Sequence, residues 1–194
     1  METKKVEKTI TRRNFIGLTS GFIVATGLSK AKLFSSQEKK KADLFAPLSP
    51  EEQKKADNSR VSKYIDQFKK RRINCSENVF MIGLKYLNQP DEFANSAIAF
   101  GGGLGKGDIC GLITGASMTF GIAAAHKYKD KRKIGELAGR MNHEYWNWFK
   151  SHAPIHCKDL RKQYKSAAEY HNMITRITIK LDEIFTKYQI EPKQ

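Results

Sequence analysis

Asn74-Cys75-Ser76-Glu77-Asn78-Val79-Phe80, continuing through Leu84 and Leu87 to Gln89-Pro90, is the stretch on which the fold turns. Asparagine with an acidic residue three places on is an N-cap pattern, and the apolar residues behind it recur at helical spacing. The pattern predicts a helix with Cys75 in its first turn. Upstream, Ser49-Pro50-Glu51-Glu52 predicts another helix start, and Val61, Tyr64, Ile65 and Phe68 extend that helix at i, i+3, i+4, i+7 to about Lys70. Downstream, Asp91 to Phe100 reads as a short helix broken by Gly101-Gly102-Gly103-Leu104-Gly105-Lys106-Gly107. Asp108 then caps a buried helix over 109–126, with Cys110 in its first turn. Gly111 and Gly115 predict the close approach of another backbone there, because glycine inside a helix costs about 1 kcal/mol relative to alanine. Asp130 to Lys150 reads as a further helix through Leu137, Met141, Tyr145 and Phe149, and His152 to His156 breaks it. Cys157 opens a short segment. Ser166-Ala167-Ala168-Glu169 opens a last helix through Ile174, Ile177, Leu181 and Phe185, with His171 in its first two turns. No alternating strand pattern appears, so residues 49–194 are expected to form one compact all-α domain of about five to six helices with a glycine-rich loop.

The beginning of the chain reads differently. Lys4, Lys5 and Lys8 precede Arg12-Arg13-Asn14-Phe15-Ile16, and an apolar run reaches Leu28. This resembles a twin-arginine export signal over residues 1–31, with Gly17 where lysine is usual and Ser29-Lys30-Ala31 as the cleavage site. An uncleaved anchor is the alternative, but the run is short of the roughly 20 residues that span a bilayer. The expected location is therefore periplasmic or otherwise extracytoplasmic, without stable membrane insertion after processing. Residues 32–48 are lysine-rich and aperiodic and read as a flexible basic linker. The whole chain of 194 residues carries +15; without residues 1–31 it keeps 29 basic against 18 acidic residues, or +11. Such a field favours an acidic partner protein. No nucleic-acid-binding motif appears, and export argues against that class of partner. Homodimerisation stays open.

The three cysteines, Cys75, Cys110 and Cys157, are an odd number and cannot all pair within one chain. Three thiols and His171 suffice instead for a metal or an iron–sulfur cluster. Two of the thiols fall at predicted helix starts, where unsatisfied N–H groups favour a thiolate. An inert buried thiol is the commoner fate of any single cysteine, and a partly exposed helical histidine that of His171; His156, beside Cys157, competes as a ligand. The glycine run matches neither a P-loop nor a dinucleotide fingerprint. Gly103 and Gly105 provide a tight loop whose N–H groups suit an anionic centre, and a plain helix-to-helix turn explains them equally well.

Four segments together carry a resemblance: Asn74-Cys75-Ser76-Glu77-Asn78-Val79, Phe100-Gly101-Gly102-Gly103-Leu104-Gly105, Cys110-Gly111-Leu112-Ile113-Thr114-Gly115-Ala116, and Cys157-Lys158-Asp159-Leu160. Over roughly residues 60–185 they resemble the redox-active family named for its C-GCAxxG-C-C cysteine signature. The resemblance implies a small helical domain that binds an iron–sulfur centre, related to a domain of split-Soret cytochromes, with no settled substrate. Two departures stand out. Leu112 occupies a usual alanine position, and the last cysteine is missing, with His171 near its place.

The leading expectation is an exported electron-transfer protein in which Cys75, Cys110 and Cys157 ligate a cluster, [2Fe–2S] favoured, with His171 as fourth ligand and Gly103, Gly105 and Gly111 close to it. A histidine in place of a thiolate would raise the potential. A structural zinc domain is the alternative, although ligands separated by 35, 47 and 14 positions lack the close pairs of zinc modules. A thiol enzyme or redox sensor using a Cys110 thiolate is the third. Changing Arg12 and Arg13 to lysine is expected to trap unprocessed protein in the cytoplasm. Unchanged delivery in cells lacking the twin-arginine translocase would rule export by that route out.

Overall fold

Two helices that are apolar on nearly every face form the centre of a computed structural model that describes residues 43–68 and 73–192. The expected export signal, most of the basic linker and the stretch 69–72 lie outside these residues. One central helix, α2 (Cys75–Tyr86), buries Val79, Phe80, Ile82 and Leu84; the other, α3 (Gly111–Lys127), buries Leu112, Ile113, Ala116, Phe120 and Ala123. Helices hydrophobic all round must be interior, and the remaining elements wrap them. The elements run α1 (Pro50–Asn58), a tight 3₁₀ stretch Ser62–Phe68, α2, a second such stretch Asp91–Phe100, a left-handed turn Gly103–Gly107, α3, α4 (Lys131–His152), α5 (Cys157–Leu160) and α6 (Ala167–Lys187). The described residues are all-α, with one isolated antiparallel bridge between Ile109 and His156.

The caps expected at Ser49, Asn74 and Ser166 form, whereas that expected from Asp108 does not. Ser49, Asn74 and Ser166 each cap a helix through a reciprocal box with Glu52, Glu77 and Glu169, and Asp130 caps α4. On α4, Leu137, Met141, Tyr145 and Phe149 follow one another at i, i+4 spacing and face the centre, while α6 turns Ile174, Ile177, Leu181 and Phe185 inward. Phe185 stacks on Tyr86 at 5.0 Å between ring centroids, and Phe120 meets Tyr145 edge-on at 5.7 Å. Across the outside, Glu144 on α4 accepts from Lys180 at 3.0 Å and Lys187 at 2.6 Å on α6.

Two expectations are corrected. The first helix does not run to Lys70. Ser59 turns the chain instead, its hydroxyl accepting the N–H groups of Val61 and Ser62, while Arg60 donates its own N–H to Asp182 at 2.9 Å. Val61 and Ile65 are still buried, but in 3₁₀ geometry. The second correction concerns the end of the basic linker. Residues 43–48 are docked: Leu44 is fully buried, and Phe45 stacks on Tyr164 at 5.8 Å.

Arg176 holds that segment down. It lies on α6, 8 % exposed, and donates to the carbonyls of Leu44 (3.0 Å), Ala46 (2.7 Å) and Pro47 (3.2 Å). Its remaining N–H groups make a two-pronged pair with the Glu52 carboxylate at 2.7 and 2.9 Å. The Arg176 hydrogen bond holds the Glu52 carboxyl down at about 2, from an ordinary 4.5, against the opposing effect of burial. A depressed carboxyl stabilises the fold fully above its unfolded value, and this contribution fades as pH falls from about 4.5 towards 2.

Replacing Arg176 with alanine is expected to destabilise the protein by about 3–5 kcal/mol in denaturant titrations, because carbonyls and a carboxylate lose a shared buried donor. Proteolysis should then cut within residues 43–48 before the helical body opens. Unchanged stability together with an uncut segment would show that Arg176 does not hold it.

Candidate metal and thiol site

The site is assembled by two close approaches of backbone. The first is between the starts of α2 and α3. A methyl group at Gly111 would overlap the Cys75 sulfur and press on the Ser76 nitrogen, and one at Gly115 would overlap the Ser76 carbonyl. Glycine at these positions lets α3 lie directly on the first turn of α2, which delivers the Cys75 thiol to the residue preceding α3. That residue is Cys110. It is the N-cap, extended at φ −61° and ψ 135°, rather than part of the first turn, and Asp108 does not cap α3 but closes the preceding turn, its N–H donating to the Gly103 carbonyl at 3.1 Å. The Asp108 carboxylate instead faces His156 Nδ1 at 3.1 Å.

The second approach is the bridge. Cys110 N–H donates to the Ile155 carbonyl at 2.8 Å, and Cys157 N–H donates to the Asp108 carbonyl at 2.7 Å. Side chains alternate across such a pairing, so Ile109 and His156 share one side while Cys110 and Cys157 share the other as diagonal neighbours. His156, which adjoins Cys157 in sequence, meets the Asp108 carboxylate.

Cys110 hydrogen-bonds to Cys75 and to Cys157, whereas Cys75 and Cys157 influence each other through charge. Cys110 and Cys157 are buried and Cys75 is partly exposed. The Cys110 S–H above all, and then the N–H groups of Gly102 and Ser76 and the nearby Arg161 guanidinium, hold the Cys75 thiol down at about 6, against the opposing effect of burial. Cys110 is pushed up, first because its proton is held against Cys75 and then by burial. Burial, and next the Cys75 charge, raise Cys157. Lowering at Cys75 and raising at Cys110 favour Cys75 as the thiolate of the pair, whereas the sequence-based expectation for a reactive thiol is Cys110.

Gly102 donates its N–H to Cys75 from an unusual segment. Gly102, Gly103, Leu104 and Gly105 are all left-handed, with φ of 63°, 64°, 56° and 66°. Glycine takes this conformation freely, but a leucine there is disfavoured by roughly 1–2 kcal/mol. Gly103 packs its α-carbon on the Asp108 backbone, and Gly105 stands exposed at the outside of the turn. One N–H of the glycine run thus reaches sulfur, rather than a cradle of several.

Sequence reasoning missed Arg161, Tyr164 and Tyr170. Tyr164 and Tyr170 pair at 5.7 Å between ring centroids, and burial raises both phenols, with the thiols adding a smaller push. Asn78 donates its amide to the Tyr170 hydroxyl at 3.4 Å. His171 follows Tyr170 on α6, about 100° further round the helix. A basic residue four positions after Cys157 and aromatics at 164 and 170 were the available signals, but they had no periodic or motif context.

Thiolates joined to N–H donors and an arginine suit a soft or anionic metal group. Among the described residues, however, no group of three or more His, Cys, Asp or Glu side chains is arranged to hold one metal ion. The family model described as "Putative redox-active protein (C_GCAxxG_C_C)" matches residues 73–184, a stretch containing all three cysteines and His171. No curated protein and no solved structure matches significantly.

In the reduced, metal-free protein Cys75 is expected to be alkylated by iodoacetamide ahead of Cys110 and Cys157, with a rate that rises through an inflection near pH 6. Peptide mapping reads the order. Cys110 reacting first, or an inflection near 9, would contradict the assignment of the thiolate.

Proposed function

Since the chain belongs to the C_GCAxxG_C_C family of redox-active proteins, we propose that it is an electron-transfer protein holding an iron–sulfur centre, [2Fe–2S] favoured, through Cys75, Cys110 and Cys157. The observation that carries this is the convergence of three thiols from distant parts of the chain on one largely buried spot. Such a centre supplies one-electron chemistry when bound. Around it the chain contributes what an anionic group requires in a dry site: the Gly102 and Ser76 N–H groups and the Arg161 charge. Tyr164 and Tyr170 exclude water on the α6 side. Gly111 keeps the Cys75 sulfur in place, and Gly103 sets the turn that presents Gly102.

Ligands separated by 35, 47 and 14 positions, without the close pairs of zinc modules, favour a cluster over zinc. A single tetrahedral ion needs its thiolates equidistant from one point, whereas a cluster distributes them over different irons. His171 completes the proposed ligand set as the fourth donor, reached by a turn of the first part of α6. Delivery across the membrane by the twin-arginine route suits a protein that folds around its cofactor first, and the net positive charge suits an acidic redox partner.

A dithiol function is the second reading, favoured by one observation. The Cys75 thiol, held at about 6, is hydrogen-bonded to the protonated Cys110, an arrangement that suits an attacking and a resolving thiol.

Anaerobically purified protein should contain iron and sulfide and absorb in the visible. Single serine substitutions at Cys75, Cys110 and Cys157 should each abolish that absorption, because a missing ligand removes metal and stability together. His171→Ala should shift the spectrum or the potential and leave iron bound. A folded Cys110→Ser protein with the parent's iron content would defeat the three-thiolate site. Zinc without visible absorption would turn the assignment to a structural metal, and metal-free protein with a reversible Cys75–Cys110 disulfide would turn it to the dithiol.

A further inference from the structure

Phe93, Ile98 and Leu104 are the large apolar side chains that remain roughly half exposed among the described residues, and all three belong to the segment leading into and forming the left-handed turn. Leu104 stands out. It is 49 % exposed and left-handed, so neither solvent nor backbone favours a leucine there. A bulky apolar residue kept in a disfavoured conformation on the outside of a turn suits a contact made by something beyond the chain. The turn is also the route to the thiols: Gly102, two residues earlier, donates to the Cys75 sulfur.

The cations around Leu104 outnumber the carboxylates and, among the described residues, lack ion pairs of their own. Lys106 is exposed on the same turn, the Lys158 side chain lies against Gly107, and the Arg161 guanidinium lies 3.9 Å from the position a Cβ would take on Gly102. The neighbouring carboxylates are engaged elsewhere, Asp108 with His156 and Asp159 with Lys162. Among the described residues no ion pair neutralises Lys106, Lys158 or Arg161. An apolar tip ringed by unpaired cations resembles the centre and rim of a protein–protein contact. A second copy of this chain would bring the same cations face to face.

We propose that Leu104, Lys106, Lys158 and Arg161 form a docking face for an acidic protein, with Leu104 entering an apolar spot that the partner surrounds with carboxylates. The purpose of such a contact rests on the electron-transfer reading, because docking there brings a partner close to Cys75. The contact itself needs only the turn and the three cations. Opposite charge speeds encounter and apolar burial at the centre slows release, so affinity should fall with salt but persist in part.

Flavodoxin, a small acidic electron-carrier protein, serves as the probe, titrated calorimetrically with the full-length protein at low ionic strength. The double variant Lys106→Glu/Lys158→Glu is expected to weaken binding at least about tenfold and Leu104→Ser about threefold, while Lys131→Glu/Lys133→Glu on α4 changes it less than about twofold. Thermal unfolding confirms that each variant remains folded. Equal losses in the two charge variants would reduce the effect to net charge and overturn the proposal, as would absent flavodoxin binding by the parent. Phosphatidylglycerol vesicles or short duplex DNA that displace flavodoxin through these same residues would overturn the choice of a protein partner. Iron content and absorption of the same samples report separately on the thiol site. Docking lost with iron retained, or iron absent with docking retained, tells which of the two proposals has failed.

Discussion

The contact between the first turn of α2 and the first two turns of α3 is the constraint from which the rest follows. Gly111 and Gly115 remove the side chains that would otherwise hold these helices apart, and the Cys75 sulfur and the Ser76 backbone occupy the space. Each glycine inside a helix is disfavoured by about 1 kcal/mol relative to alanine, a penalty offset by the apolar surface that closely packed helices bury. The arrangement couples packing to chemistry. One cannot separate the central helices without also withdrawing Cys75 from Cys110.

The outer elements serve this centre in different ways. The bridge between Ile109 and His156 ties in Cys157 by backbone hydrogen bonds, and its thiol is buried. Helix α6 brings Tyr170 over the thiols at its first turns and, further along, Arg176 to the segment 43–48. The same helix therefore closes the core at one end and the thiol site at the other. Arg176 lies within an apolar run and is satisfied by three carbonyls and a carboxylate, which is what permits a guanidinium to be buried at all.

Electrostatics around the thiols are local. Within the site, N–H groups and the Arg161 guanidinium favour one thiolate, and the proton kept on Cys110 prevents a second from forming beside it. Outside, the cations of the turn and of α5 remain unpaired among the described residues. The left-handed segment joins the two regions, since Gly102 faces the sulfur and Leu104 faces solvent.

The sequence by itself determined the helical class, the capped starts at Ser49, Asn74, Asp130 and Ser166, and the close approach at Gly111 and Gly115. These are local matters: a cap is settled within four residues, and a glycine in a buried helix implies a neighbour. Sequence also singled out the cysteines by their number and by the family signature. It misjudged the end of α1, the docking of residues 43–48 and the cap of α3. Each of these is set by a distant partner, Asp182 for Arg60, Arg176 for the segment, and the Ile155 carbonyl for Cys110. The coupling of Cys75 to Cys110, the pairing of His156 with Asp108, and the presence of Arg161 and Tyr170 beside the thiols were decided only in three dimensions. Charge and hydrogen bonding act through space, and residues 75, 102, 110, 157, 161 and 170 become neighbours only once the two central helices have met.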